Sequence, residues 1–299
     1  MTTATPEEFV SALAHGLAFA RRTPVVRRPD EYGLTYEDVR FTASDGTALE
    51  GWFIPADSDK LVIANHPSPC NRYGYPGHLE EYATPFADFE INFLPDYKNL
   101  HDAGYNVLAY DLRNHGESDA ADGGVCGIGL LEYRDVVASL RYGRERLGVD
   151  NSRIGLLSRC LGADATIVAM SRHPEEFEGV RALVAVQPVS LRALAETATN
   201  GIPGGIEGFS REIRTLTGFD IDEMSPLEYA KDVTTPTLVA QVHQDSATTP
   251  ADVQGIFDNL ATEDKELLWI EGTTRRFDGY NYFPENPERM LAWFGAHFA

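Results

Sequence analysis

The residue of this chain best placed for chemistry is Cys160. It lies within Ser158-Arg-Cys-Leu-Gly162, after the apolar run Arg153-Ile-Gly-Leu-Leu157 and before the apolar-periodic run Ala163 to Met170. A strand that ends in small-x-nucleophile-x-Gly and passes into a helix turns sharply. The turn lifts the central side chain above the carboxyl end of a sheet, and its flanking residues are small because backbones approach closely there. The raised group here is a thiol, whose thiolate is the nucleophilic form, and a helix N-terminus beneath it favours that anion. Ser158 stands where the pattern has its first glycine. Read for packing alone, Cys160 would be a buried inert thiol, since free cysteine is among the most buried residue types.

The elements that must position this thiol can be read from hydrophobic runs. Asp38 to Thr42 and Leu49 to Ile54, joined by Ser44-Asp-Gly46, suggest a hairpin. Next come Lys60 to Ala64, Tyr105 to Tyr110, Arg153 to Leu157, Ala182 to Val186, Thr237 to Val242 and Glu266 to Ile270. These short continuous apolar runs are expected of strands buried on both faces, and helix-length segments such as Leu131 to Leu147 and Pro287 to Phe298 lie between them. The alternation predicts an α/β fold with a doubly wound, mostly parallel sheet. Two connections are too long for simple crossovers. Residues 70–100 read as an extended active-site loop and helix, and 189–233 as an inserted helical cap whose Gly201-Ile-Pro-Gly-Gly205 is a flexible break. The whole, 1–299, reads as one domain without a linker-like stretch or internal repeat.

Composition excludes several classes. Lys plus Arg number 25 against 46 Asp plus Glu, a net charge of −21 that repels nucleic acid and anionic membrane surfaces. No apolar run reaches membrane-spanning length, and the acidic, amphipathic N-terminus has no signal-peptide pattern, so a cytoplasmic location is expected. Three cysteines suit a reducing compartment, with Cys70 and Cys126 as free thiols. Neither a ligand-spaced metal cluster nor a Gly-rich phosphate loop is evident, so no cofactor is expected. The expected partner is a small-molecule substrate, with no nucleic acid or membrane; a homodimer is left open.

From about Asp38 to its end, the chain resembles the α/β-hydrolase superfamily. Four features carry the resemblance in order: Ala64-Asn-His-Pro-Ser68 after the third strand, Asp111-Leu-Arg-Asn-His-Gly-Glu-Ser118 after the fourth, the elbow Ser158 to Gly162, and Thr235 to Asp245. A Cys at the elbow is reminiscent of the dienelactone hydrolases, which the chain does not otherwise resemble. The resemblance implies Cys160 as nucleophile and Asp245 as the acid. It also implies an oxyanion hole from the Leu161 N–H and the third-strand loop, where Pro67 and Pro69 lack an N–H and Ser68 is the natural donor.

The pattern breaks at its base. Where the superfamily has Gly-x-x-His, this chain has Gly272-Thr-Thr-Arg275. A guanidinium with pKa above ~12 is no general base, but it can hold a thiolate, an oxyanion or a substrate carboxylate, and Asp245 can orient it. Cys160, Asp245 and Arg275 are therefore the expected catalytic set. His66 and His243 are alternative proton shuttles, although His66 reads more simply as a loop-shaping residue. His66, Arg72, Tyr73, Arg159 and Tyr280 are the expected substrate contacts, in a pocket that the aromatics of 73–93 and 277–282 make apolar. The leading expectation is a thiol-dependent enzyme acting on a small, aromatic or apolar ester, thioester or lactone. The alternatives are a cofactor-free lyase, cyclase or acyl transferase that avoids water, and a non-catalytic binding protein.

Overall fold

A computed structural model describes residues 5–298. Ten strands are formed: β1 (Glu37–Thr42), β2 (Ala48–Ile54), β3 (Leu61–Asn65), β4 (Gly74–Pro76), β5 (Glu90–Asn92), β6 (Asn106–Tyr110), β7 (Ile154–Arg159), β8 (Ala182–Val186), β9 (Thr237–Val242) and β10 (Lys265–Ile270). The helices are α1 (Pro6–Ala18), α2 (Leu94–Asp102), α3 (Tyr133–Leu147), α4 (Leu161–Arg172), α5 (Pro174–Phe177), α6 (Leu191–Ala198), α7 (Gly205–Thr217), α8 (Pro250–Asn259), α9 (Tyr282–Glu285) and α10 (Glu288–His297).

Eight strands form one sheet in the order β1-β2-β6-β3-β7-β8-β9-β10. The β1–β2 and β2–β6 pairs are antiparallel and every later pair is parallel. The apolar runs of β3, β6, β7, β8 and β9 are buried throughout, as strands covered on both faces must be. One face packs against α1, α3, α4 and α6 to α8, the other against α2, α9 and α10. This is an α/β-hydrolase fold, and the strands of its eight-stranded sheet match the hydrophobic runs to within two residues at each end. No helix among the described residues is long and apolar enough to cross a membrane.

The two long connections have structure of their own. Residues 70–100 hold the short antiparallel hairpin β4–β5 and then α2. Between β8 and β9 the chain inserts α6 and α7, and the break Gly201 to Gly205 is the turn between them, with Gly201 and Gly204 at φ +81° and +66°. Helix α7 packs along α1, where Ser11 Oγ donates to Glu212 Oε1 at 3.2 Å.

The crossing of α4 over β3 fixes where the elbow can sit. A Cβ on Gly162 would lie 2.7 Å from both the carbonyl carbon and oxygen of Asn65, backbone atoms that cannot turn aside. Gly162→Ala is therefore expected to lower stability by about 1–3 kcal/mol through overpacking. Urea unfolding against wild type checks it, and an unchanged midpoint would mean that the crossing is looser than described.

Candidate active site

The elbow is built as its residues require. Cys160 adopts φ +44°, ψ −112°, a conformation costly for a residue with a side chain and found where surrounding structure over-determines the backbone. Two backbone bonds hold it: Cys160 N–H to Val186 O on β8, and Asp164 N–H to Cys160 O, both 2.8 Å. Ser158, the departure from the glycine pattern, anchors a buried network. Its Oγ accepts from Asn65 Nδ2 at 2.8 Å and pairs with Thr166 Oγ1 at 2.9 Å, while Asn65 Oδ1 accepts from Tyr110 Oη at 2.6 Å. The network ties β7 to β3, β6 and α4. Leu161 is the first residue of α4, so its N–H has no carbonyl within the helix and points out at the helix N-terminus.

Asp245 lies in the loop after β9 with its side chain buried. Its Oδ2 accepts from Gln241 Nε2 at 2.8 Å and from Arg276 Nη1 at 2.6 Å, and its Oδ1 accepts from Ala247 N–H at 2.8 Å. The arginine on Asp245 is thus Arg276, and the expectation for Arg275 is corrected. Arg275 points outward, donates to Asp88 Oδ1 at 2.6 Å and lies over the Phe89 ring at 4.4 Å. The reason is local: Arg275 is the extended residue before the single helical turn Arg276–Tyr280, so the two neighbouring side chains leave the backbone in different directions.

Arg276 is 6 % exposed and fully engaged. Besides Asp245, it donates from Nη2 to the Gln187 carbonyl and from Nε to Tyr280 Oη at 3.2 Å. Gln187, at φ +55°, returns a bond from its Nε2 to Arg276 O at 2.7 Å. Arg276 and Tyr280 both lie close enough to the Cys160 side chain to act on its charge. Burial opposes the guanidinium's charge, yet Tyr280, Cys160 and Asp245 together hold it well above its usual range. Burial likewise pushes the Tyr280 phenol up, so it stays protonated and able to donate. Thiol, phenol, guanidinium and carboxylate meet here in one partly exposed cluster.

The other expected contacts lie elsewhere. Arg72 is buried, ion-paired to Asp111 and Glu117 and stacked 4.6 Å over Trp52. With Asp111 Oδ1 also accepting from Arg72 N–H at 2.7 Å, this residue fixes the loop after β3. Arg159 is buried against Asp96 and lies 4.3 Å over Phe93; burial pushes the Asp96 carboxyl up to about 7 despite that cation. Tyr73 donates to Glu90 Oε1 at 2.8 Å and is buried. These side chains find internal counter-charges or acceptors, which is why they do not face a ligand.

His66 has both ring nitrogens committed, Nδ1 to Pro67 O and Nε2 to Leu112 N–H, each at 2.9 Å; burial lowers it to about 4, so it is neutral. It shapes the loop. His115, beside it, meets Ser68 Oγ at 3.1 Å and is lowered by burial to about 3. His243 is exposed and pairs with Glu271 at 2.8 Å, facing away from Asp245. None of the eight histidines bonds to Asp245 among the described residues.

Sequence reasoning missed Arg276, Gln187 and Gln241. The signal available was the Arg275-Arg276 doublet itself, and a glutamine at the end of each of two otherwise apolar strands.

Fold and cluster define an α/β-hydrolase-type protein. A family model for the prolyl oligopeptidase family matches residues 95–299, and the chain belongs to that family. Protein YfhR of Salmonella typhi, described as uncharacterized, is 27 % identical over 242 residues, covering 78 % of this chain and 72 % of its own length. In structure the chain is similar to an esterase from Pyrococcus furiosus, with TM-score 0.68, 22 % identity and coverage of 94 % and 97 %. It is also similar to an acetyl xylan esterase from Paenibacillus sp. R4, with TM-score 0.61, 18 % identity and coverage of 99 % and 96 %.

Removing one partner of a buried ion pair strands the other charge. Arg276→Ala is expected to cost about 3–5 kcal/mol in unfolding free energy. Arg275→Ala, which breaks only exposed contacts, should leave the urea midpoint within experimental scatter. Equal effects of the two substitutions would show that Asp245 does not depend on Arg276.

Proposed function

We propose that this protein is an acyl-transferring enzyme of the α/β-hydrolase fold in which Cys160 is the nucleophile and Arg276, not a histidine, completes the site. The observation that carries the reading is the buried guanidinium that bonds Asp245 and acts on the charge of the Cys160 sulfur. A permanent cation beside sulfur favours the thiolate, and a thiolate, unlike a serine hydroxyl, attacks a carbonyl without a base to deprotonate it. Asp245 holds Arg276 in place, and Tyr280, its phenol bonded to the same guanidinium, lies beside the sulfur with a proton to donate. The carbonyl oxygen, becoming an oxyanion, is received by the N–H groups of Leu161 and Ser68. Collapse of the adduct breaks the bond to the leaving group and leaves a thioester on Cys160.

Leaving-group chemistry narrows the substrate. An amine must be protonated to depart, whereas a thiolate or an acidic alcohol can leave as an anion. With no imidazole on the acid, thioesters, activated esters and lactones of small molecules fit this site better than peptides do. Water must likewise be deprotonated to break the acyl-enzyme. The placement of His66, His115 and His243 away from Asp245 favours a second reading, in which the acyl group passes to an acceptor other than water, or cyclises.

Incubation with p-nitrophenyl acetate, followed by intact mass and peptide mapping, tests the first reading. One acetyl group is expected on Cys160 of the wild type. Cys160→Ser should be slower by at least about 100-fold, because a hydroxyl beside a guanidinium has no base. Acetylation elsewhere, or an equally active Cys160→Ser variant, would overturn it.

A further inference from the structure

A carboxyl group that no step above uses lies one helical turn after Cys160. Asp164 sits four residues after Cys160 on α4, inside the apolar run Ala163 to Met170, and is completely buried. Helical side chains lean toward the helix N-terminus, which carries this carboxyl back over the turn that begins at Cys160. Its Oδ1 accepts from Val189 N–H at 3.2 Å, while Oδ2 is buried with no hydrogen-bond partner. Buried carboxylate oxygens are nearly always satisfied, so an orphaned one, a state Asp164 shares with Asp96 among the described residues, calls for a reason. A neutral acid, whose O–H is free to turn toward a reacting group, supplies one.

The groups that act on it are few. Burial raises Asp164 far above the usual carboxylate range, and the negative charge of Cys160 raises it further; Arg276 lowers it and Asp252 raises it. Asp252, on α8, is occupied by Ser190 N–H at 3.0 Å and Thr248 Oγ1 at 3.2 Å. Burial is the largest of these influences, and the charge on the sulfur is the next and the one that changes during the reaction. When Cys160 is a thiolate, its charge is set against that of Arg276 and Asp164 stays protonated. When the sulfur is acylated, that negative charge is gone, while the Arg276 cation, still bonded to Asp245, continues to favour an ionised Asp164.

We propose that Asp164 is the proton carrier of this site, in place of the missing histidine, a role that rests on the reading of Cys160 as nucleophile. The thiolate attacks the carbonyl carbon and the carbon–oxygen double bond opens to an oxyanion. As the oxyanion collapses, the bond to the leaving group breaks and that group takes the Asp164 proton, leaving the products as acyl-Cys160, a neutral alcohol and an Asp164 carboxylate. In the second half the carboxylate takes the proton of the acyl acceptor as it attacks the thioester, and Cys160 departs as the thiolate. Net charge at the site is the same in both resting and acylated states.

The test compares acylation of Cys160 in wild type and Asp164→Asn with two probes that differ only in leaving group. With p-nitrophenyl acetate, whose nitrophenolate leaves unprotonated, the variant should react within about threefold of wild type; with phenyl acetate it should be slower by about 100-fold. An equal loss with both probes overturns the proposal and marks Asp164 as structural. If wild-type Cys160 is not acylated by either probe, the nucleophile reading fails first. Should Asp164→Asn not fold, infrared difference spectra of the wild type on alkylation of Cys160 by iodoacetamide give the second measurement. Loss of a protonated-carboxyl band is expected, and an unchanged carboxyl region overturns the proposal.

Discussion

The site depends on a guanidinium held out of water. Arg276 loses its hydration on burial and recovers the loss only because every direction it can donate in has a receiver: the Asp245 carboxylate, the Gln187 carbonyl and the Tyr280 phenol, with the Cys160 sulfur alongside. A buried cation without such partners would be strongly unfavourable. Each partner comes from a different strand end or loop, so the ion pair and the sheet's carboxyl edge specify one another. Gln241 Nε2 and the Ala247 N–H, the remaining donors to Asp245, extend the same dependence one layer further from the thiol.

The strained elbow is the second half of the arrangement. Cys160 stays at positive φ because β8 takes its N–H, α4 takes its carbonyl, and the Ser158–Asn65–Thr166 network pins the strand beneath it. Rigidity at the sulfur and fixed charge opposite it are what a site lacking an imidazole needs, since it has no mobile base to compensate for misalignment.

The fold was legible because parallel strands buried on both faces write themselves as short apolar runs. So was Cys160, whose strand, turn and helix each leave a local trace, and Asp245, which follows the next-to-last run. The arginine was located only to within one residue. The stretch between β10 and α9 has no periodicity to say which of Arg275 and Arg276 turns inward; that is decided by where the single helical turn starts. Arg72 and Arg159 misled for a related reason. A sequence shows cations near a site but not the carboxylates of Asp111, Glu117 and Asp96 that neutralise them from distant segments. His66, expected both as a substrate contact and, more simply, as a loop-shaping residue, bonds Leu112 in a different loop, a partner that left no trace in the sequence.

The proposed function turns on whether Arg276 favours the thiolate form of Cys160 without a base. The thiolate absorbance of wild type at neutral pH, taken as the difference from Cys160→Ser, measures it most directly when repeated in Arg276→Gln. The account predicts a thiolate signal in wild type that is diminished in Arg276→Gln. The same signal in both proteins, or none in either, would contradict it.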